Sequence, residues 1–155
     1  PDETFDAVVS RHASWLFQDP ESAYRTWARL LRPGGILLNM DANWLLPLWE
    51  DEASAQFRAD EAELVRRYGS FQDHYHDRDM MDTLRRLPLA FQERPAWDAA
   101  LCRKLGLVVE SSFLPGETYW NSFLSLRYRT MPTFVLRAQK PMQEMKGDEN
   151  GKERE

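Results

Sequence analysis

Three short groups of residues in this 155-residue chain have the side chains and the spacing for chemistry. Ser10, Arg11 and His12 close an apolar run that starts at Phe5. A guanidinium there can pair with a carboxylate, and an imidazole can hydrogen-bond a substrate or act as a base. Asp41, Asn43 and Trp44 follow a second apolar run, Ile36 to Met40. Polar groups at such a place can position a nucleophile, and an indole face can wall a pocket or attract a cation. His74-x-His76, flanked by Asp73, Asp77 and Asp79, puts two imidazoles on one face of an extended segment, with carboxylates near to complete a metal shell. Such pairs are also common on polar loops. The choice is between a solvated loop and a lid that faces substrate, and no metal site is expected.

Each group has a plainer reading. Arg11 and His12 can simply satisfy nearby backbone groups. Asp41 or Asn43 can make an Asx turn that leaves Trp44 in the core. Trp15, Phe17, Trp97 and Trp120 either cover a pocket or fill the interior, which is the commoner fate of a single aromatic. Arg66-Arg67 and Arg85-Arg86 fall on expected helices and read as solvated faces. Cys102 is the one cysteine, so no internal disulfide can form, and its AALCRKLGL surroundings indicate a buried thiol.

The elements that must hold these groups begin with strand, helix, turn, strand. Phe5 to Ser10 lacks alternation, which suits a strand buried on both faces of a parallel sheet. Asp19-Pro20-Glu21 starts a helix: cap, first helical position, acid in the first turn. Ala23, Trp27, Leu30 and Leu31 give it an apolar face, with Arg25, Arg29 and Arg32 largely off that face. Pro33-Gly34-Gly35 ends it, and Ile36 to Met40 is the next strand. The spacing then predicts a charged amphipathic helix over 51–69, a polar loop over 71–80 and a short helix over 80–87. Residues 45–94 thus read as a helical insertion that caps a pocket. A helix opens at Pro95, runs through Trp97, Leu101 and Leu105 and stops at Gly106. Strands follow at 107–113 and 131–139, with an ambiguous stretch at 116–129 between them. Residues 141–155 are rich in Lys, Glu, Gly, Asp and Asn and read as a disordered tail, which leaves 1–140 as the folded unit.

Composition sets limits. At 43% hydrophobic and 12% aromatic, the chain can bury a substantial core. A net charge of −5 argues against nucleic acid as a partner held by bulk charge. No run of about 18 apolar residues occurs, so no membrane span is expected, and a cytoplasmic location is the natural expectation.

The residues FDAVVSR, the DP…A…W…LLRPGG segment and LLNMDANW resemble the C-terminal half of class I S-adenosylmethionine-dependent methyltransferases. The Leu-Arg-Pro-Gly-Gly turn before an apolar strand is the most specific piece. DANW is similar to bacterial members of the type 11 group. The resemblance is close over 5–44 and a matter of pattern over 95–139. It implies an α/β, Rossmann-like half-sheet in the order 4-5-7-6, with the last strand antiparallel. It also implies S-adenosylmethionine as cofactor, lined by Ser10, Arg11, His12 and Trp15, with His12 the one candidate base. A small-molecule substrate would then meet Asp41, Asn43, Trp44, His74 and His76. The departure from the family is large: neither the Gly-rich loop after strand 1 nor the acidic residue after strand 2, which together bind the family's cofactor, is present. The chain holds no G-x-G-x-x-G, and no glycine precedes Gly34. The expectation is therefore a fragment that binds the cofactor weakly or not at all by itself.

Two other readings stand beside this one. The chain can be a non-enzymatic α/β protein-association module, self-associating through an exposed first strand. It can also be half of a dinucleotide-dependent oxidoreductase, which an antiparallel last strand would argue against.

Overall fold

A computed structural model describes residues 2–69 and 77–142 of the chain. His74, His76, Asp73 and most of the expected tail lie outside the described residues.

Strand β1 (Phe5–Arg11) leads through a 3-10 turn at Ser14–Leu16 to helix α1 (Pro20–Leu30). The expected cap forms: the Asp19 carboxylate accepts from Ser22 N at 2.9 Å, and Pro20 takes the first helical position. Pro20, Tyr24 and Ala28 are the buried positions of α1, while Ala23, Trp27 and Leu30 are half-buried. The inner face is thus centred one residue away from the expected stripe. The reason is polar: the Tyr24 hydroxyl finds partners inside, as described below.

Strand β2 (Leu31–Ala42) starts directly at the end of α1. Its pairing with β1 jumps from Phe5↔Leu31 to Ala7↔Ile36, so the Pro33-Gly34 corner is looped out of the ladder. Gly34 sits at φ 82°. A Cβ at Gly35 would come within 2.9 Å of Arg32 O and 3.1 Å of Phe5 O. One glycine is needed for its dihedral and the other for close backbone approach, which explains the Pro-Gly-Gly signature physically.

After a 3-10 turn at Leu46–Leu48 comes helix α2 (Asp51–Tyr68), capped by the Glu50 carboxylate on the Glu52 and Ala53 amides. Ala53, Phe57, Asp60 and Leu64 are its buried positions, a helical stripe. Helix α3 (Arg78–Leu84) is capped by Asp77, whose side chain accepts from Met80 N. Helix α4 (Ala96–Lys104) and strand β3 (Val108–Phe113) match the expected elements. The ambiguous stretch resolves into two short helices, α5 (Gly116–Tyr119) and α6 (Ser122–Arg127), before β4 (Thr133–Gln139).

The four strands lie in the order β1-β2-β4-β3. β1 is parallel to β2, and β4 is antiparallel to both its neighbours. This is the half-sheet expected from the resemblance, and its antiparallel last strand speaks against the oxidoreductase reading. α1 and α4 cover one face. Tyr24, Ala28, Ala99, Leu101 and Cys102 pack there on Leu37, Phe134, Leu136 and Ala138. A second cluster of Leu45, Leu87 and Ala90, with Trp15, Leu48 and Leu84 against it, fastens the 45–94 block to the sheet rim.

β1 departs from the sequence reading. It was expected to be buried on both faces, yet Phe5 is 49% and Val9 69% exposed. Among the described residues β1 is the sheet edge, and helices cover only the face that carries Val8 and Ser10.

Candidate functional site

The carboxyl ends of β1 and β2 meet at one rim of the sheet, where open α/β sheets place their ligands. Register brings the two sequence groups together: Ser10 pairs with Asn39 and Arg11 with Met40, and His12 N donates to Met40 O at 2.8 Å. Asp41 and Trp44 follow on the neighbouring strand.

Beneath this rim lies a buried polar network built on Arg94. Its Nε donates to Asp98 Oδ2 at 2.9 Å and its Nη2 to Asp98 Oδ1 at 2.7 Å, a bidentate fork. Nη1 donates to Asp41 Oδ2 at 3.0 Å, and Nη2 also donates to Ser14 Oγ at 2.7 Å. Ser14 Oγ donates to Asp41 Oδ2 at 2.6 Å. Asn39 Nδ2 donates to Tyr24 Oη at 2.7 Å and to Ser14 Oγ at 3.0 Å, and the Tyr24 hydroxyl donates to Asp98. Arg94, Asp41, Asp98, Ser14, Asn39 and Tyr24 are all buried. The guanidinium also lies over the Phe134 ring, 5.1 Å from its centroid. Burial alone would lower the Arg94 pKa, but the hydrogen bonds and charge of Asp98, with the charge of Asp41, outweigh it and raise it. Burial, reinforced by Asp98, pushes the Tyr24 phenol up, so Tyr24 stays neutral. Buried charge persists only when paired and hydrogen-bonded in this way.

Asp41 therefore sits where the sequence placed it but faces inward. Oδ1 accepts from Trp44 Nε1 at 2.6 Å and from Ala42 N at 3.0 Å, and Oδ2 accepts from Trp15 N at 3.1 Å. With Arg94 and Ser14 added, both carboxylate oxygens are engaged. Asp41 positions the site by fixing Trp44 and the 14–15 backbone. Asn43 clasps a neighbour: its side chain accepts from Arg94 N and donates to Arg94 O, both at 3.1 Å.

Above the network, His12 stands in a group of aromatic rings. Its centroid lies 5.1 Å from Trp44, 5.6 Å from Trp120 and 6.1 Å from Tyr119. Tyr128 joins the group through Trp44 and Trp120, each at 5.3 Å. His12 adopts φ 50°, a left-handed conformation uncommon for a residue with a Cβ and concentrated at functional sites. Burial lowers its pKa below 6.5; Asp41 opposes the shift and Arg11 adds to it. The imidazole is thus neutral at pH 7. Its Nε2 and the hydroxyls of Tyr119 and Ser10 are buried without hydrogen-bond partners among the described residues. Arg11 is exposed, with its guanidinium 5.4 Å from the Tyr119 ring centroid.

Trp15 is half-buried, packs on the Leu45, Leu87 and Ala90 cluster and lies 6.3 Å from Trp44 between ring centroids, at the edge of the site. The remaining candidates separate. Phe17, half-buried, packs on Trp27 at 5.7 Å, and Trp97, half-buried against the core, packs on Tyr24 at 6.1 Å. Of the late tryptophans, only Trp120 reaches the site. Arg66 and Arg67 pair with Glu63, and Arg85 with Asp82, on exposed helix faces. Among the described residues, no group of three or more His, Cys, Asp or Glu could hold a metal, and no helix is long and apolar enough to cross a membrane. Sequence reasoning missed Arg94, Asp98, Ser14, Asn39, Tyr24, Tyr119 and Tyr128. A signal existed for one pair: Arg94 and Asp98 are four apart at a helix start, the spacing of an i,i+4 ion pair.

Comparison with known proteins agrees with this architecture. The family model of the methyltransferase domain matches residues 1–39. No curated protein matches the chain. A chain from the Haloferax volcanii complex of the Trm112 methyltransferase activator with a candidate methyltransferase matches at TM-score 0.51 and 18% identity, over 93% of this chain and 57% of that one. Phosphoethanolamine N-methyltransferase 2 of Haemonchus contortus, solved with S-adenosyl-L-methionine, matches at TM-score 0.54 and 13% identity, over 92% of this chain and 34% of that one. A candidate sarcosine dimethylglycine methyltransferase of Galdieria sulphuraria matches at TM-score 0.52 and 14% identity, over 92% of this chain and 55% of that one. Identities this low speak to fold. The chain spans from 34% to 57% of the lengths of these three.

Proposed function

We propose that this chain, which has the fold of class I methyltransferases, forms the acceptor side of an S-adenosylmethionine-dependent methyltransferase acting on a small molecule. The observation that carries the proposal is His12. It is a neutral imidazole in a left-handed conformation at the strand rim, packed among Trp44, Tyr119 and Trp120, with Nε2 unpartnered among the described residues. The half-sheet and the absence of a G-x-G-x-x-G loop from the sequence support a second element of the proposal: the remaining cofactor contacts come from outside these residues.

The residues present fit the cofactor's chemistry in part. Ser10, Arg11 and His12 offer a hydroxyl, a guanidinium and an imidazole at one rim, and Trp15 shapes the loop beneath them. S-adenosylmethionine, when bound, supplies an electrophilic methyl group on a sulfonium. The Arg11 guanidinium is placed to pair with a carboxylate. The His12 Nε2 can accept a hydrogen bond or a proton from the acceptor's nucleophile. Trp44 and Trp120 exclude water and present π faces to a cation. Asn43 and Asp41 act by holding Arg94 and Trp44 in place. Alignment of nucleophile and methyl group would provide much of the rate. His74 and His76 remain candidates for the substrate side.

Photo-crosslinking with methyl-tritiated S-adenosylmethionine at millimolar concentration tests this. Label is expected in the peptides that span 10–15 and 41–44. Label confined to other peptides would remove the proposal. Calorimetry with the same ligand is expected to give binding weaker than micromolar, and micromolar binding would remove the fragment element.

The association reading keeps one observation in its favour, the exposed edge of β1. Coding sequence upstream separates the two: a glycine-rich strand–helix loop there supports the enzyme.

A further inference from the structure

A concavity of about 440 Å³ opens at the same sheet rim. Asn43, which follows β2, Phe113, the last residue of β3, and Pro132, which precedes β4, all border it. Three exposed aromatic rings converge on it: Trp49, Phe91 and Phe113, at 38%, 51% and 55% exposure. Single exposed apolar side chains need no explanation, but three rings turned into one concavity mark a binding surface. The volume falls in the usual range for small-molecule sites.

Charge selects among ligands. Glu50 and Glu93 line the cleft. The cation that borders it, Arg94, is 2% exposed and spends its guanidinium on Asp98, Asp41 and Ser14. Among the described residues no cation is therefore turned toward a ligand in the cleft; the Glu50 carboxylate is spent on the α2 cap, which leaves Glu93 as the carboxylate available there. The geometry points to a seat for the flat apolar body of an uncharged or cationic small molecule, with anions disfavoured. It selects an aromatic amine or a neutral heteroaromatic over a carboxylate or phosphate ester. The rings supply apolar area and edge or face contacts, and Glu93 supplies attraction for a positive group.

The test uses the full chain and two fluorescent probes, neutral N-phenyl-1-naphthylamine and anionic 8-anilino-1-naphthalenesulfonate. The neutral probe is expected to bind at a single saturable site and at least about tenfold more tightly than the anionic one. Phe91→Ala and Phe113→Ala are each expected to weaken the neutral probe by about tenfold. Both rings are half-exposed, so neither variant should lose the fold, which far-ultraviolet circular dichroism checks. Val108→Ser, at a 61% exposed apolar position on β3 away from the cleft, is expected to change nothing. Glu93→Gln should narrow the gap between the probes. Unchanged binding in both phenylalanine variants, equal weakening by Val108→Ser, or preference for the anionic probe would overturn the assignment. Crosslinking of the cofactor away from 10–15 and 41–44 with probe binding intact would remove the methyl-transfer reading and leave the cleft.

Discussion

Replacing Arg94 by methionine should be the most damaging single change to this fold. Methionine keeps much of the volume and removes the charge. The change strands two fully buried carboxylates, Asp41 and Asp98, and takes a donor from Ser14. Each charge-assisted bond is worth about 1.5–3 kcal/mol, and four of them run from this guanidinium. They do not sum, because burying the ions cost much of that gain in the first place. Breaking a buried pair by removing one partner costs about 3–5 kcal/mol. A domain of this size has about 5–15 kcal/mol in total. The variant should therefore lose about a fifth or more of its stability, and its Tm should fall by about 6–20 °C. Urea denaturation at pH 7, followed by circular dichroism, measures this directly. Arg94→Lys should be intermediate, since an ammonium keeps the charge and loses the fork. Adding Asp98→Asn to Arg94→Met should recover part of the loss, because it removes one stranded charge; the two changes should thus be strongly non-additive. A loss under about 1 kcal/mol for Arg94→Met, or simple additivity in the double variant, would show that the network is not the anchor argued here.

Three further outcomes follow from the same geometry. The His12 imidazole should titrate below 6.5 by nuclear magnetic resonance, because burial outweighs the pull of Asp41. A folded-state pKa below the unfolded one favours the unfolded chain as protons bind. The stability tied to His12 is thus present above pH 6.5 and lost as pH falls through the folded value; a midpoint at or above 6.5 would contradict it. Cys102 is buried with its thiol pushed up to about 12 by burial and by Asp98, so native protein at pH 8 should resist thiol reagents and react only on unfolding. Rapid stoichiometric labelling of the native chain would refute this. The β1 edge should drive concentration-dependent self-association in sedimentation velocity, weakened by Val9→Lys, a charge of the kind that guards natural edges; a strictly monomeric parent chain would argue against it.

What the sequence made legible has a common physical cause: local rules. The Asp19-Pro20 cap, the Pro-Gly-Gly corner and the apolar run of β2 are all dictated within a few residues. They fix the strand–helix–strand unit and bring Ser10–His12 beside Asp41–Trp44. Facts that depend on distant neighbours were not legible. The apolar run Phe5–Val9 reads as buried, yet burial depends on what lies beside and above it. Asp41 reads as a ligand-facing acid at a strand end, yet the pleat turns it toward the helices, where Arg94 waits from a loop with no periodic signal of its own. The 116–129 stretch mixes Gly116, polar residues and aromatics, and its two short helices are set by packing. For that reason Tyr119 and Tyr128 escaped notice and Trp120 had no assigned place.

The central claim is that the rim around His12 forms the acceptor side of a methyl-transfer site and meets the methyl-donor end of the cofactor there. Titrating isotope-labelled chain with S-adenosylhomocysteine up to millimolar concentration tests it most directly, read through backbone amides and the indole N–H of Trp15, Trp44 and Trp120. The account predicts shifts centred on residues 10–15 and 41–44 and on the Trp44 indole. No shifts at any concentration, or shifts confined to the far end of the sheet near Lys140, would contradict it.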